Sequence, residues 1–390
     1  MTATKKLRVG IIGGGMIAKA HVIALRALRS YFGEDRLDAD VVAVADVTQE
    51  AASQAAQQYS IERWTTDWQG LLADDSIDAI TIATPNFLHA EHAIVTVEAG
   101  KHVMCEKPLA HTIEAARLMV DAAERAGVVN SVNFNYRCIP AIRYARKLIA
   151  AGDLGEILSV RGAFLQDWGA DPQVSRSWKF EASRGGAGPI LTSGCHVIDL
   201  IRYVTGHAIV ELAAAANTVI KERPLPSGRN TYATSEGPAK MAPVDVEDVG
   251  AFVARLDNGA IGTLEASRVA SGRSNFCFLE VNGSQGSVVF DYETLNELQV
   301  WTSRSKGFGF NRVLVGPSQD GGLFWTLGGL GVGFAETITL HMREFVTAII
   351  EGRPAEPAFR DGLHAQEVAF AALRSAASGA WESVPKVLEN

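Results

Sequence analysis

Three consecutive glycines, Gly13, Gly14 and Gly15, follow the apolar run Leu7–Ile12 and precede Met16, Ile17 and Ala18, giving G-x-G-x-x-A between a strand and a helix. In such a setting the first glycine permits a tight turn, the second lets the backbone approach a pyrophosphate, and the small Ala18 allows close helix–strand packing. The second apolar run, residues 41–45, ends at Asp46, whose carboxylate can accept hydrogen bonds from both hydroxyls of an adenine ribose. The same charge repels a 2′-phosphate, and the neighbouring Val47 offers no compensating cation. The two features together predict a dinucleotide site that takes NAD rather than NADP, with Gly13, Gly15, Met16 and Ile17 at the phosphates and Asp46 at the ribose. The separation from the glycines to Asp46 exceeds the usual spacing, and the extra residues fit a loop over 31–40.

Two later turns carry further chemistry. Thr84, Pro85 and Asn86, with His89, follow one strand-like run, and Glu106, Lys107 and Pro108 follow the next. Ligands of open α/β sheets lie beyond the carboxyl ends of the strands, so both turns are expected to border the cofactor. A lysine fixed beside a cationic nicotinamide can serve near neutrality as a general base. Asn135, Tyr136 and Arg137 come after the following strand and are expected at the same cleft, although Arg137 could equally form a surface ion pair.

The elements that must position these residues fall into two halves. Up to about residue 150, strand-like runs at Leu7–Ile12, 41–45, 79–83, His102–Cys105 and 128–132 alternate with helical stretches at 18–29, Gln49–Tyr59, 88–98 and Ile113–Ala126. Gly100 and Gly127 stand where the last two helices should end in a left-handed cap. This is the pattern of a Rossmann-type doubly wound parallel sheet, expected over residues 1–134. Residues 135–390 read as an α+β domain for substrate and self-association. Its strands are expected at 157–164, Val249–Leu256, 260–268, 276–281 and 287–290, and its helices at 190–204, 335–350 and 364–377, of which the C-terminal ones could pack back on the first domain. Asp257, Asn258 and Gly259 predict a hairpin with two positive φ angles. The Pro-, Gly- and Ser-rich stretch 223–244 is an excursion within this domain, because strand patterning resumes after it. The large, mostly antiparallel sheet would keep one open face for self-association, as a symmetric oligomer or through an edge.

Composition narrows the partners. The chain of 390 residues carries 36 basic and 44 acidic side chains, a net charge of -8, which gives no electrostatic reason to bind nucleic acid or an anionic membrane. Cys105, Cys138, Cys195 and Cys277 lie far apart with no metal-ligand spacing, so reduced thiols and no metal are expected. The polar start, Met1 to Arg8, lacks the apolar core of a secretory signal, and no apolar run is long enough for a membrane span. A cytoplasmic protein acting on a small soluble molecule is expected.

The motifs GGGMIAKAH, ATPNFLHAEHA, EAGKHVMCEKPLA and GCHVIDL together resemble the Gfo/Idh/MocA oxidoreductases over nearly the whole chain. That resemblance implies an enzyme with Lys107 as catalytic lysine, Glu106 and Pro108 shaping the turn against the nicotinamide, a second domain presenting a sugar or polyol, and assembly into a homodimer or homotetramer through the open sheet face. Residues 164–172, 177–180 and 222–225 look most like the levoglucosan dehydrogenase branch of the family, which implies oxidation of a pyranose hydroxyl at C3 with NAD. Trp168 and Trp178 would then stack on a sugar ring, or else pack in the core, while Gln166, Asp167 and Lys179 bind hydroxyls.

The resemblance also implies a histidine, His196, as substrate-hydroxyl ligand or proton relay. Where much of the family has aspartate four residues earlier, this chain has Thr192, which cannot hold negative charge at neutral pH. Asp199, one helical turn beyond His196, could supply that charge or anchor its helix. Three readings follow: an NAD-dependent sugar dehydrogenase using Lys107, His196 and Thr192; a redox-neutral glycosidase or lyase working through a transient 3-keto sugar; and a nucleotide-binding protein without turnover.

Overall fold

The computed structural model describes all residues except 1–5, 34–36, 227, 229–230, 236–238, 306, 321–324, 326, 328 and 387–390. The very start of the chain and parts of the 31–40 loop and the 223–244 excursion therefore lie outside the described residues. The chain divides into two compact units, Met1–Cys138 with Gly333–Leu363, and Ile139–Val332 with His364–Asn390.

The first unit begins with β1 (Leu7–Ile12), α1 (Met16–Phe32), β2 (Ala39–Ala45), α2 (Gln49–Tyr59), β3 (Arg63–Thr65) and α3 (Trp68–Leu72). It continues with β4 (Ala79–Ile82), α4 (Asn86–Glu98), β5 (His102–Cys105), α5 (Ile113–Ala126) and β6 (Asn130–Val132). The six strands pair in parallel in the order β3-β2-β1-β4-β5-β6. That order reverses between β1 and β4, the switch point where such sheets bind ligands. Central strands are buried along their whole length, as β4 is at all four positions, so they read as continuous apolar runs. Helix ends follow local rules: Thr48 and Thr112 accept hydrogen bonds from the amides of Ala51 and Ala115, and Gly127 closes α5 at φ 65°.

The second unit holds α6 (Pro140–Ala150), β7 (Ile157–Leu165), α7 (Ala182–Gly185), α8 (Pro189–Thr192), α9 (Gly194–Thr205), β8 (Ile209–Asn217), β9 (Glu222–Pro224) and β10 (Met241–Pro243). Then come β11 (Val249–Leu256), β12 (Ile261–Ser267), β13 (Phe276–Gly283), β14 (Gly286–Asp291), β15 (Glu297–Thr302), β16 (Asn311–Leu314) and α10 (Pro317–Asp320). After α11 (Phe334–Glu351) in the first unit, α12 (Phe359–Ser378) and β17 (Glu382–Ser383) end the described chain. Nine strands form one sheet in the order β16-β15-β14-β13-β7-β12-β11-β8-β17, in which β7 and β12 are parallel and the other pairs antiparallel. Along β11 buried and exposed residues alternate, so the sheet has one packed face and one open face. In the first unit α11 lays Ile338, Met342, Phe345 and Val346 into the core shared with Leu25 and Leu28 of α1.

Three local expectations are corrected. The stretch 190–204 is two helices, broken at Ser193; a Cβ at Gly194 would lie 3.3 Å from the carbonyl oxygen of Pro189, so the chain between α8 and α9 is close-packed there. At the hairpin only Gly259 takes a positive φ, 88°, while Asn258 does not. The turn is thus the longer type in which a left-handed glycine follows two ordinary turn residues, closed by the Gly259 amide donating to Leu256. Finally, β8 was not expected, because its alanine run has weak strand propensity; pairing along its length with β11 overrides that.

Candidate active site

The glycine turn is fixed from below and open above. Gly13 has φ 94°, and a Cβ there would lie 2.7 Å from the carbonyl oxygen of Ala83, so no other residue fits. Gly14 is equally confined by Ala55, 2.5 Å from such an atom, whereas a Cβ at Gly15 would meet nothing within 4 Å. Gly15 is also the N-cap of α1, with no side-chain cap and no acidic residue in the first turn. The first amides of α1, including those of Met16 and Ile17, thus keep the positive end of the helix for an external anion. Asp46 accepts from the Gly14 amide at 3.0 Å and from the Val47 amide at 2.7 Å, and the Tyr59 hydroxyl lies 3.2 and 3.0 Å from the carbonyls of Gly14 and Gly15. An open cradle of free amides beside a carboxylate fits a dinucleotide.

The next two turns are tied to each other. The imidazole of His89, 1% exposed, has Nε2 2.9 Å from the carbonyl of Thr84 and Nδ1 2.9 Å from that of Pro108. Burial holds this ring below its ordinary pKa against the pull of the two carbonyls. Thr84 also meets His92 Nδ1 at 3.3 Å, while Pro85 caps α4 and Asn86 opens it as a buried residue. His89 therefore acts inside the fold, joining the turn after β4 to the turn after β5.

Glu106 is buried and points inward, accepting from His21 Nε2 at 3.0 Å and from Asn133 Nδ2 at 2.5 Å. Burial alone would raise this carboxyl, but the hydrogen bond and charge of His21, with the hydrogen bond from Asn133, hold it below the ordinary range. Its second oxygen lies 3.3 Å from the Lys107 amide, so the carboxylate orients the backbone from which the half-buried Lys107 side chain starts. The Lys107–Pro108 peptide is cis. Tyr136 and Arg137 are buried in the turn Asn135–Cys138; Arg137 donates to Asp361 at 2.8 Å, an interior pair rather than a surface one.

In the second unit, close approaches place His196. A Cβ at Gly162 would lie 2.2 Å from Val197, so α9 lies directly on β7, and the buried His196 ring stacks on Phe164 with centroids 5.8 Å apart. The Thr192 hydroxyl donates to the carbonyl of Gly188 at 3.0 Å, and Asp199 is buried on α9. Gln166 is a hub: its oxygen accepts from Trp168 Nε1 and Ser193 Oγ, each at 3.2 Å, and its amide donates to Asn275 at 2.9 Å. Asp167 accepts from the Gly272 amide at 3.3 Å.

Trp168 meets Tyr232 edge to face at 5.1 Å, and the ammonium of Lys179 lies 4.4 Å from the centre of Trp178 and 5.3 Å from that of Tyr232. Two arginines hold this cluster. Arg268, paired with buried Asp248 at 2.8 Å, donates to the carbonyl of Lys179, and Arg223 donates to those of Gly169 and Asp171. Both guanidiniums lie over Phe180, at 4.2 and 4.3 Å. Sequence reasoning missed Tyr232, Asn275, Arg268 and Asp248; the one available signal was the density of aromatic residues in 164–180.

An open parallel sheet with this turn at its switch point is a dinucleotide-binding fold. A family model described as an oxidoreductase family with an NAD-binding Rossmann fold matches residues 7–134, and one for the GFO/IDH/MocA C-terminal domain matches residues 142–289. The chain belongs to the Gfo/Idh/MocA oxidoreductases, and it is an NAD-dependent enzyme. It is 41% identical, over 98% of this chain and 99% of the relative, to levoglucosan dehydrogenase of Pseudarthrobacter phenanthrenivorans. A solved levoglucosan dehydrogenase in complex with NADH and levoglucosan superposes with a TM-score of 0.91 at 40% identity, covering 98% of this chain and all of that one. D-glucoside 3-dehydrogenase of Escherichia coli is 34% identical over 53% of this chain and 56% of its own. The enzyme is thus of a kind with the sugar dehydrogenases. Among the described residues no helix is long and apolar enough to cross a membrane.

Proposed function

We propose that the protein oxidises a ring hydroxyl of a pyranose or anhydro-sugar of the levoglucosan kind, at C3. The observation that carries the reading is Lys107, a half-buried amine on a turn whose backbone is oriented by a buried carboxylate. NAD, held by the turn at residues 13–17 and by Asp46, would supply the hydride acceptor. The Lys107 amine takes the hydroxyl proton, so that a secondary alcohol becomes a ketone and the proton passes from the lysine to water. His196 hydrogen-bonds the reacting hydroxyl, Trp168 and Trp178 present ring faces to the sugar, and Gln166 and Lys179 bind its other hydroxyls. The choice of sugar rests on the full-length likeness to levoglucosan dehydrogenase. Self-association through the open face of the nine-stranded sheet belongs to the same reading and is supported by the exposed alternate residues of β11 and β12.

Thr192 favours one second reading. Its hydroxyl is committed to Gly188 and carries no charge, so a changed proton relay fits an internal oxidation followed by elimination and return of the hydride. Incubating the enzyme with NAD and a panel of levoglucosan, free pyranoses, inositols and aryl glycosides separates the two. NADH rising together with a keto-sugar in NMR spectra is the expected result, whereas aglycone release at constant NADH means redox-neutral chemistry. Lys107→Ala should lower kcat by about 10²- to 10⁴-fold with NAD binding retained. A fully active variant overturns the assignment, and NAD binding without turnover on any sugar makes the protein a nucleotide-binding module.

A further inference from the structure

Glu106 ends a chain of buried polar groups that starts far away in the sequence. Asn133, whose amide nitrogen reaches Glu106, has its carbonyl oxygen 2.9 Å from His341 Nδ1, 208 positions along the chain. His341 Nε2 lies 3.1 Å from Ser131 Oγ, which is also 2.8 Å from the carbonyl of Pro357. Glu106, Ser131, Asn133 and His341 are all less than a tenth exposed, and all belong to the first unit. The titratable and charged groups around them are His21, His89, Lys107 and the Arg137–Asp361 pair.

Burial, aided by the charge of Arg137, drives the His341 pKa down to about 3, so its ring is neutral and carries one proton. Proton counting then orders the chain. The ionised Glu106 only accepts, so Asn133 must turn its NH2 toward it and its oxygen toward His341. A neutral His341 satisfies that oxygen only with its proton on Nδ1, while its Nε2 faces Ser131 Oγ, whose hydroxyl donates to the carbonyl of Pro357 at 2.8 Å. Inward of Ser131 the donors point one way, from His341 through Asn133 to Glu106. The same carboxylate orients the Lys107 amide.

We infer that Asn133 and His341 are positioning residues for Lys107, holding the Glu106–Lys107 turn in register through the carboxylate without touching sugar or cofactor. This rests on Lys107 as the base. The partners in a buried, fully connected network are over-determined, so removing one lets the others reorient.

The test is His341→Phe, which keeps a flat ring and removes both nitrogens, assayed with NAD and the best sugar of the panel. A fall in kcat of about 10- to 100-fold is expected, as for a small misplacement of a reacting group. KM for the sugar and the Kd for NAD should be unchanged. His341→Gln, which keeps a donor and an acceptor, should recover most of the loss. Spectra of ¹⁵N-histidine-labelled wild type, with His341 assigned by its loss in His341→Gln, should show the proton on Nδ1. Wild-type kcat in His341→Phe, a kcat loss that His341→Gln does not relieve, or a proton on Nε2 would overturn the inference. If His341→Phe does not fold, Ser131→Ala takes its place: a smaller fall in kcat with the proton still on Nδ1 is expected, and wild-type kcat or a proton moved to Nε2 contradicts the chain. Lys107→Ala in parallel keeps the two readings apart: an inactive Lys107→Ala beside a normal His341→Phe sinks only the positioning role, whereas an active Lys107→Ala sinks the base itself.

Discussion

The groups around Glu106 and those around Trp168 are held by different forces. Around Glu106 the partners are hydrogen bonds of 2.5 to 3.1 Å between interior groups. Around Trp168 the Nε1 hydrogen bond to Gln166 at 3.2 Å is joined by ring edges at 5.1 and 5.7 Å and, at the neighbouring Trp178 and Tyr232, by a cation over the rings at 4.4 and 5.3 Å, and Tyr232 is 45% exposed. Leaving one interior polar group without its partner costs about 1–3 kcal/mol, so the first arrangement has one low-energy geometry. Ring contacts contribute about 0.5–1.5 kcal/mol each and tolerate sliding, so the second can adapt. On the proposed function, chemistry would rest on the rigid network and recognition on the adaptable one.

The comparison can be broken most severely at the cofactor. Asp46 is held by the amides of Gly14 and Val47, and charged hydrogen bonds to a ribose would add about 1.5–3 kcal/mol. Asp46→Asn is expected to weaken NAD by about 10- to 100-fold while NADP binding holds or improves, because the repulsion of the 2′-phosphate is lifted. Calorimetric titration with both nucleotides reads this directly. Equal losses for the two would mean that Asp46 serves only to hold the Gly14 turn.

A smaller effect is expected in the second unit. Trp168→Ala removes the ring that meets Tyr232 and Phe180 and the donor to Gln166. The KM for the sugar should rise about 3- to 10-fold, with kcat and NAD affinity nearly kept. Steady-state kinetics showing the reverse, a collapsed kcat at constant KM, would place this cluster with the rigid groups and end the contrast between the two regions.

The same contrast decides what the sequence reveals. β1, α2, β5, α5 and β11 lie where patterning puts them, because apolar runs and capping threonines or glycines are local signals. The glycine turn and the Lys107 turn are contiguous motifs for the same reason. What escaped is written in partners far apart: His341 with Asn133, Arg268 with Asp248 and Lys179, Tyr232 with Trp168. His341 did leave a trace, as a polar residue among Ile338, Leu340, Met342 and Phe345 on a helix that buries all of them. Such a residue signals a buried hydrogen bond but says nothing of the group that receives it.

The finest test concerns Thr192, where motif and geometry point apart. By its place in the motif it belongs with the catalytic groups; by its hydrogen bond, back to Gly188 within α8, it is a helix residue whose proton is already committed. Thr192→Val keeps the shape and removes only the hydroxyl. Because that bond is neutral, stability should fall by about 0.5–1.5 kcal/mol, and kcat should change by less than about threefold. Denaturant unfolding and steady-state kinetics on the same preparation separate the two quantities. A large loss of kcat at unchanged stability would move Thr192 into the proton path, and with it would strengthen the redox-neutral chemistry that a relay without a carboxylate suggests.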